Sequence, residues 1–284
     1  MKILVLGATG MAGHVISIYL KEGGHDLTAF SRRRFEHCNN VIGDITDFAY
    51  LKNIILEGKY DAVINAIGIL NNDAEENKSL AVLLNSYLPH YLSDITKDLK
   101  TRIIHMSTDC VFSGKTGGYT ETSFKDGGMF YDRSKALGEL ENNKDLTLRN
   151  SIIGPDISND GIGLFNWFMK QEGQIKGFTK ATWTGVTTLT LAKAMEKALE
   201  KNLTGLYNLV NNESINKFDL LKLFNKYMKG NSLEILPSDT VIIDKSLINT
   251  RNDFEFVVPS YEQMIIEMKE WIESHKEIYP HYLT

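Results

Sequence analysis

The stretch that decides the fold is Lys2-Ile3-Leu4-Val5-Leu6-Gly7-Ala8-Thr9-Gly10-Met11-Ala12-Gly13. Its apolar run predicts a buried strand, and the three glycines follow at the spacing of a tight turn that opens a helix. Such a turn lets the backbone approach a pyrophosphate, which the unpaired N–H groups and partial positive charge of the helix N-terminus attract. The stretch therefore predicts a dinucleotide site, with an ordinary glycine-containing turn as the alternative.

The end of the second predicted strand, Leu27 to Phe30, indicates which dinucleotide binds. It is followed by Ser31-Arg32-Arg33-Arg34, where an NAD site usually has an acidic residue for the ribose hydroxyls. Arginine instead suits a 2′-phosphate. We therefore expect NADPH, with NADH possible, and the alternative is a solvated run of charges.

Composition limits the other function classes. The net charge of −5 over 284 residues gives no broad basic field, so we expect no nucleic-acid partner. Two cysteines, Cys38 and Cys110, and seven histidines show neither a disulfide framework nor metal-ligand spacing, and we predict no metal site. The chain enters its first strand directly and has no apolar run of the ~18 to 20 residues that span a membrane, which favours a cytoplasmic location and no membrane partner.

Strands alternate with helices over the first 150 residues. The predicted strands are Ile3–Leu6, Leu27–Phe30, Ala62–Asn65, Ile103–Ser107 and Leu146–Leu148, and the predicted helices lie near Phe48–Leu56, Leu80–Lys97 and Phe130–Glu141. This alternation predicts an α/β fold with a parallel sheet covered on both faces and ligands at the carboxyl ends of its strands.

The pattern changes after Pro155, which predicts a smaller, discontinuous C-terminal substrate lobe. We expect residues 1–155, joined by 189–212, to form the nucleotide domain, and residues 156–188 and 213–284 to cover the substrate. Within the lobe, the segment Ile175 to Thr188 has no clear periodicity, and helices are expected at Asn216–Met228 and Ser260–Ile272.

The candidate catalytic residues are Thr108, Tyr131 and Lys135. The phenol and the ammonium are four residues apart on one helix face, and this helix follows the strand that ends at Ser107-Thr108-Asp109. Ketone reduction needs a proton at oxygen, which Tyr131 would donate while Lys135 favours its phenolate and binds the nicotinamide ribose. Thr108 would hold the carbonyl oxygen. The alternatives are a solvated phenol and a strand-end capping hydroxyl.

These motifs resemble those of the extended short-chain dehydrogenase/reductases, and among them the dTDP-4-dehydrorhamnose reductase type. The matching stretches are residues 7–13, 43–47, 65–68, 107–114, 119–121 and 131–139, with weaker matches at 183–188 and 205–209. The resemblance implies a Rossmann-type doubly wound sheet. The chain departs from the family at Cys110, where a tyrosine is usual, and at Asp132, where a glycine is usual.

Motif and resemblance together assign two sets of binding residues. The cofactor set is Gly7, Thr9, Gly10, Met11, Gly13, Ser31, Arg32, Arg33, Asp44, Ile45, Ala66, Ile67, Gly68, Ser107, Tyr131 and Lys135. The substrate set is Thr108, Cys110, Val111, Asn150 and Trp183. Further candidates in the second lobe for a diphosphate or a base are Lys176, Lys180, Arg251 and Trp167, each of which could equally be an ordinary surface or core residue.

The resemblance implies NADPH-dependent reduction of a nucleotide-linked 4-keto-6-deoxy sugar in surface polysaccharide synthesis, by a possible homodimer. Dehydration is disfavoured because Cys110 stands where the dehydratases have a carboxylate. The alternatives that remain are a sugar-nucleotide epimerase, a reductase of a non-sugar ketone, and an NADP-binding regulatory protein like the regulatory subunit of methionine adenosyltransferase, which the N-terminal motifs also resemble.

Overall fold

The computed structural model describes residues 1–282. Its strands are β1 (Lys2–Leu6), β2 (Asp26–Ser31), β3 (Asn39–Ile42), β4 (Ala62–Asn65), β5 (Arg102–Thr108), β6 (Leu146–Asn150), β7 (Ile152–Ile153), β8 (Gln174–Trp183), β9 (Val186–Thr187), β10 (Gly205–Asn208), β11 (Ile215–Asn216) and β12 (Glu234–Asp244). Its helices are α1 (Met11–Glu22), α2 (Phe48–Gly58), α3 (Asn71–Glu76), α4 (Lys78–Ala81), α5 (Leu88–Ile95), α6 (Phe130–Leu137), α7 (Leu164–Met169), α8 (Thr188–Glu200), α9 (Lys217–Met228) and α10 (Tyr261–Ser274). A π-helical stretch, Val82–Tyr87, joins α4 to α5.

Seven of these strands form one parallel sheet in the order β10-β6-β5-β4-β1-β2-β3. The chain starts in the middle of the sheet, builds one half through β2 and β3, and crosses over to build the other half. The order therefore reverses beside β1, and the carboxyl ends of β1 and β4 border the crevice where such sheets bind ligands. This confirms the predicted doubly wound α/β fold.

Helices cover both faces of the sheet, and each face has its own apolar core. One core includes Ile3, Val15, Leu148 and Met268 from β1, α1, β6 and α10. The other includes Leu4, Leu51, Leu88 and Ile103 from β1, α2, α5 and β5. Neighbouring residues of β1 thus face opposite cores, as the alternation of side chains along a strand requires.

The structure differs from the predicted elements in several places. The predicted helix 130–141 ends at Leu137 with Gly138 as its C-cap, since glycine is a poor helix former, and Gly138 packs against the Asn85 carbonyl oxygen. The short polar strand β3 has no periodic signal. The segment 175–188, which has no clear periodicity, contains the ten-residue strand β8, which pairs with β11 and β12 in a second sheet.

The late strand β10 pairs with β6 at the edge of the main sheet, as expected for a chain that returns from a second lobe. The residue boundaries of the two lobes stay a prediction. No helix within residues 1–282 combines the length and apolar character needed to cross a membrane.

Candidate active site

The turn between β1 and α1 is built for close backbone approach. Gly7 has φ of +82°, and a Cβ there would lie 2.8 Å from Ile67 Cγ1. A Cβ on Gly13 would overlap the Gly7 carbonyl oxygen, so the helix can pack on the turn only with glycine at position 13. No side chain caps α1 at Gly10, which leaves its first N–H groups free for an anion. These features fit a pyrophosphate.

A cavity of about 480 Å³ opens beside this turn, at the carboxyl ends of β1, β2 and β4. Ten residues of the predicted cofactor set line it: Gly7, Thr9, Gly10, Ser31, Arg32, Asp44, Ile45, Ala66, Ile67 and Gly68. The others lie outside its wall. Gly13 packs inside α1, Met11 faces Gly163 of the second lobe, and Arg33 is exposed. A cavity of this volume beside the glycine turn has room for the adenosine half of a dinucleotide.

One arginine of the Arg32–Arg34 run lines the cavity. Arg32 is part of the wall, whereas Arg34 lies outside it and pairs with Glu36 at 3.3 Å in solvent. The Asp44 carboxylate accepts hydrogen bonds from the Thr46 N–H and hydroxyl, which hold its pKa below the usual range, with a smaller effect from Arg32. The wall therefore presents one cation and one oriented carboxylate.

Tyr131 is held by the start of α6. The Glu75 carboxylate of α3 accepts hydrogen bonds from the N–H groups of Phe130 (2.6 Å) and Tyr131 (3.2 Å), and so caps the helix. The Asp132 carboxylate accepts from the Met129 N–H at 3.0 Å. Tyr131 as a whole is only 7% exposed, and burial raises the pKa of its phenol, with the Thr108 hydroxyl opposing the shift. A neutral phenol is thus fixed next to Thr108.

Thr108 does two things at the end of β5. Its hydroxyl accepts a hydrogen bond from the Cys110 N–H at 3.1 Å, which is the strand-end cap weighed in the sequence analysis. The same hydroxyl lies close enough to Tyr131 to lower the pKa of the phenol. The capping role therefore does not remove Thr108 from the site.

Lys135 is buried one helical turn after Tyr131. Its ammonium donates to the Met106 carbonyl at 2.6 Å, and burial lowers the pKa of Lys135 to about 8, with Glu139 opposing. A Cβ built on Gly68 would lie 3.9 Å from Lys135 Nζ, so the lysine borders the cofactor cavity. The expected lowering of the Tyr131 pKa by this lysine is not what the structure shows, since burial dominates and raises it.

Behind Lys135, a buried carboxylate joins the strands to α6. Glu139 accepts two hydrogen bonds from the Arg149 guanidinium, at 2.8 and 2.7 Å. It also forms an ion pair with Lys125 at 2.6 Å. The Ser107 hydroxyl donates to the same carboxylate at 2.6 Å. Ser107 therefore supports the site from within the sheet.

The predicted substrate residues are spread around the Thr108 turn. Cys110 is partly buried, and burial raises its pKa to about 11, so it is a thiol at neutral pH. Val111 is fully buried against Phe112 and Tyr119. Asn150 is paired in register with Thr108, and both polar atoms of its buried carboxamide lack a partner within residues 1–282.

The second lobe contributes cations that the sequence reading missed. Lys217, at the start of α9, has its ammonium 4.8 Å from the ring centroid of the buried Trp183. Lys217 and Lys245 both lower the pKa of the buried Asp109, although burial raises it overall. The cap at Asn216, whose side chain accepts from the Asp219 N–H, was the available sequence signal for this helix start.

The lysines and the arginine named from the sequence lie elsewhere. Lys180 is an exposed partner of Asp239 at 3.7 Å, and Arg251 donates to the carbonyl oxygens of Thr204 and Leu206. Within residues 1–282, no group of three or more His, Cys, Asp or Glu side chains could hold a metal ion.

Residues 1–243 match the family described as "RmlD substrate binding domain". A probable low-salt glycan biosynthesis reductase of Haloferax volcanii, Agl14, is 26% identical over 87% of this chain and 84% of its own length. A dTDP-4-dehydrorhamnose reductase of Mycobacterium tuberculosis is 32% identical, over 49% of this chain and 44% of its own length.

Two further likenesses bear on the fold and on the regulatory alternative. The structure of a dTDP-4-dehydrorhamnose reductase from Bacillus anthracis in complex with NADP superposes with a TM-score of 0.79 at 21% identity, and the match covers 96% of this chain and all of that one. The beta subunit of methionine adenosyltransferase 2 from Xenopus laevis is 24% identical over 77% of this chain and 70% of its own length.

Proposed function

This chain belongs to the RmlD substrate binding domain family, and we propose that it is an NADPH-dependent reductase of a nucleotide-linked 4-keto-6-deoxy sugar. The family and its relatives make the chain an NAD(P)-dependent oxidoreductase of the sugar-nucleotide reductase type. NADPH as the cofactor, the 4-keto-6-deoxy sugar as the substrate and surface polysaccharide as the destination are the finer parts of the proposal.

The observation that carries this proposal is the position of Tyr131 relative to the cavity. Its phenol is buried and protonated beside Thr108, and the lysine one turn later borders the cavity at Gly68. A ketone placed at this junction would be in reach of a proton donor, a hydroxyl and a cofactor at once. The glycine turn packs α1 closely on β1, and the uncapped first N–H groups of α1 suit the pyrophosphate that such a cofactor carries.

Each residue then has a definite task. The reduced nicotinamide, when bound, supplies the hydride. The Thr108 hydroxyl holds the carbonyl oxygen of the sugar, and the Tyr131 phenol donates its proton to that oxygen as the carbon is reduced. The Lys135 ammonium binds the nicotinamide ribose, and solvent returns a proton to the Tyr131 phenolate after the transfer.

The raised pKa of Tyr131 suits this direction of reaction. A phenol whose pKa is raised by burial stays protonated at neutral pH, so the proton is available when the oxygen of the ketone gains charge. The ammonium of Lys135, with a pKa of about 8, is mostly charged at the same pH. The site is therefore in the protonation state that reduction requires.

Turnover of defined sugar nucleotides tests the proposal. Purified protein with NADPH is mixed with dTDP- and UDP-linked 4-keto-6-deoxy sugars, and loss of NADPH absorbance is followed together with NMR of the product. We expect a 4-hydroxy sugar nucleotide in amounts equal to the NADPH consumed. Epimerised sugar without net NADPH consumption would support an epimerase instead.

The regulatory alternative has one observation in its favour, the likeness to the methionine adenosyltransferase subunit. The same experiment separates the two, because a regulator would bind NADPH tightly and oxidise none of it across the panel. Thr108, Tyr131 and Lys135 are all present and adjacent, which favours the enzyme.

We also propose a cytoplasmic location, because NADPH and sugar nucleotides are made there, and a homodimer, which light scattering of the 32.1 kDa chain would reveal.

A further inference from the structure

The start of α9 places one lysine over the ring of Trp183, at the end of β8. Strand β11 pairs Ile215 with Trp183 and Asn216 with Thr182, so the residue that follows is fixed beside the end of β8. That residue is Lys217, and the capping bond from the Asp219 N–H to the Asn216 side chain, at 2.8 Å, holds the first turn of its helix. The Lys217 ammonium lies over the indole ring of Trp183.

The surroundings of Lys217 differ from those of its neighbours on α9. Lys222 and Lys226 are at the surface and pair with Asp219 (3.8 Å) and Glu262 (2.8 Å). Lys217 is partly buried, which lowers its pKa to about 8, and the opposing attraction comes from Asp109 and Cys110. The Trp183 ring beneath it lies against Ser151, since a Cβ on Gly185 would overlap both that ring and the Ser151 carbonyl oxygen. Ser151 follows Asn150, the register partner of Thr108, so the ring that carries Lys217 lies beside the ends of β5 and β6.

We propose that Lys217 and Asp109 form a donor and acceptor pair that orients the sugar ring of the substrate. A ring hydroxyl can accept from the ammonium and donate to the carboxyl group at the same time, and bonds to charged groups are stronger than neutral ones. This inference rests on the proposed function and names the residues that select its substrate. Lys217 is thus a specificity residue from the second lobe, and the flat face of Trp183 keeps its stem in place.

The position of the pair favours the sugar over the diphosphate. Thr108 would hold the reacting oxygen, and the Asp109 carboxylate lies 3.2 Å from the Thr108 hydroxyl, so the pair lies within reach of the carbons beside the ketone. The Asp109 side chain is buried and would disfavour a diphosphate at the same point. A hydroxyl on a neighbouring carbon of the sugar satisfies both groups.

The test compares Lys217→Met with Lys222→Met in the intact protein. Methionine keeps an unbranched stem against Trp183 and removes the charge, and Lys222 offers a matched control because it also stacks on an aromatic ring, Phe218, at 5.2 Å, but faces solvent. For Lys217→Met we expect the KM of the sugar nucleotide to rise about 10- to 100-fold. NADPH affinity, which also reports folding, should change less than about twofold, and Lys217→Arg should recover part of the loss.

Deoxy analogues make the test specific to a hydroxyl. The wild-type protein should prefer the parent 4-keto sugar nucleotide over its 2-deoxy or 3-deoxy counterpart, and Lys217→Met should lose that preference at one of the two positions. An unchanged KM and an unchanged preference in Lys217→Met would overturn the inference while leaving the reductase intact. A wild-type protein that binds NADPH and reduces no member of the panel would instead overturn the proposed function, and the inference with it.

Discussion

At the scale of single residues, the proposed role of Tyr131 as proton donor depends on the burial that raises its pKa and keeps the phenol protonated. We expect Tyr131→Phe to lower kcat by a factor of about 10² to 10⁴, the usual contribution of a positioned acid. Its NADPH dissociation constant should stay within about twofold of wild type, because the ring and its packing remain. Steady-state rates and fluorescence titration measure the two quantities, and Tyr87→Phe, at an exposed position, is the control. Retained turnover in Tyr131→Phe would exclude this role.

Arg32 is the arginine to test for recognition of the 2′-phosphate. It lines the cavity, while Arg34 is outside it and paired with Glu36. We expect Arg32→Ala to weaken NADPH binding about 10- to 100-fold, as for lost bonds between charged groups, and to change NADH binding far less. Arg34→Ala should alter neither. Calorimetric titration with both cofactors decides, and equal losses for NADPH and NADH would refute the assignment.

At the scale of elements, the sequence predicts the central strands well because burial on both faces leaves near-continuous apolar runs. Ile3 to Leu6 is such a run, and β1 includes all of it. The strands that were missed lack this signal. β3 is only Asn39-Asn40-Val41-Ile42, and β12 is mostly exposed and contains Pro237, which is typical of a strand outside a buried sheet.

The site shows the same division between local and distant information. The spacing of Tyr131 and Lys135 is local and readable from the sequence. The cap from Glu75 joins two residues that are 55 positions apart, Glu75 and Phe130. The contact of Lys217 with Trp183 depends on the pairing of β11 with β8. No periodicity encodes either contact, so only the folded chain reveals them.

The turn into α1 gives a prediction about backbone packing. Alanine is a better helix former than glycine by about 1 kcal/mol, so Gly13→Ala would stabilise an isolated helix. Here we expect the reverse, because the new methyl group overlaps the Gly7 carbonyl oxygen and must push α1 off the turn. NADPH affinity and the free energy of unfolding should both fall.

Gly128→Ala is the matched control for that variant, since a Cβ at Gly128 meets nothing within 4 Å. It should leave NADPH affinity and the urea unfolding midpoint close to wild type. If Gly13→Ala bound NADPH as tightly as Gly128→Ala does, the turn would have more freedom than this packing allows.

At the scale of the whole molecule, a buried relay ties the C-terminal segment to the nucleotide turn. His14 Nδ1 is 2.9 Å from the Gly10 carbonyl oxygen, which can only accept, so Nδ1 carries the proton. His14 Nε2 must then accept from the Tyr279 hydroxyl at 2.8 Å, and that hydroxyl in turn accepts from the Trp271 indole N–H at 3.1 Å. One tautomer of a neutral histidine satisfies every member of the relay.

Protonation of His14 should therefore lower the free energy of unfolding as the pH falls below 6.5. Burial lowers the pKa of His14 from 6.5 to about 4, so between these values the unfolded chain binds a proton that the folded protein does not. The free energy of unfolding contributed by this group is thus complete above pH 6.5 and declines as the pH falls, by about 2 kcal/mol at pH 5.

Urea titrations at pH 7 and pH 5 measure the difference. His14→Gln should show a smaller fall over that interval than wild type, whereas His90→Gln, at an exposed position, should show the same fall. An equal fall in all three proteins would mean that His14 is not held neutral by the relay.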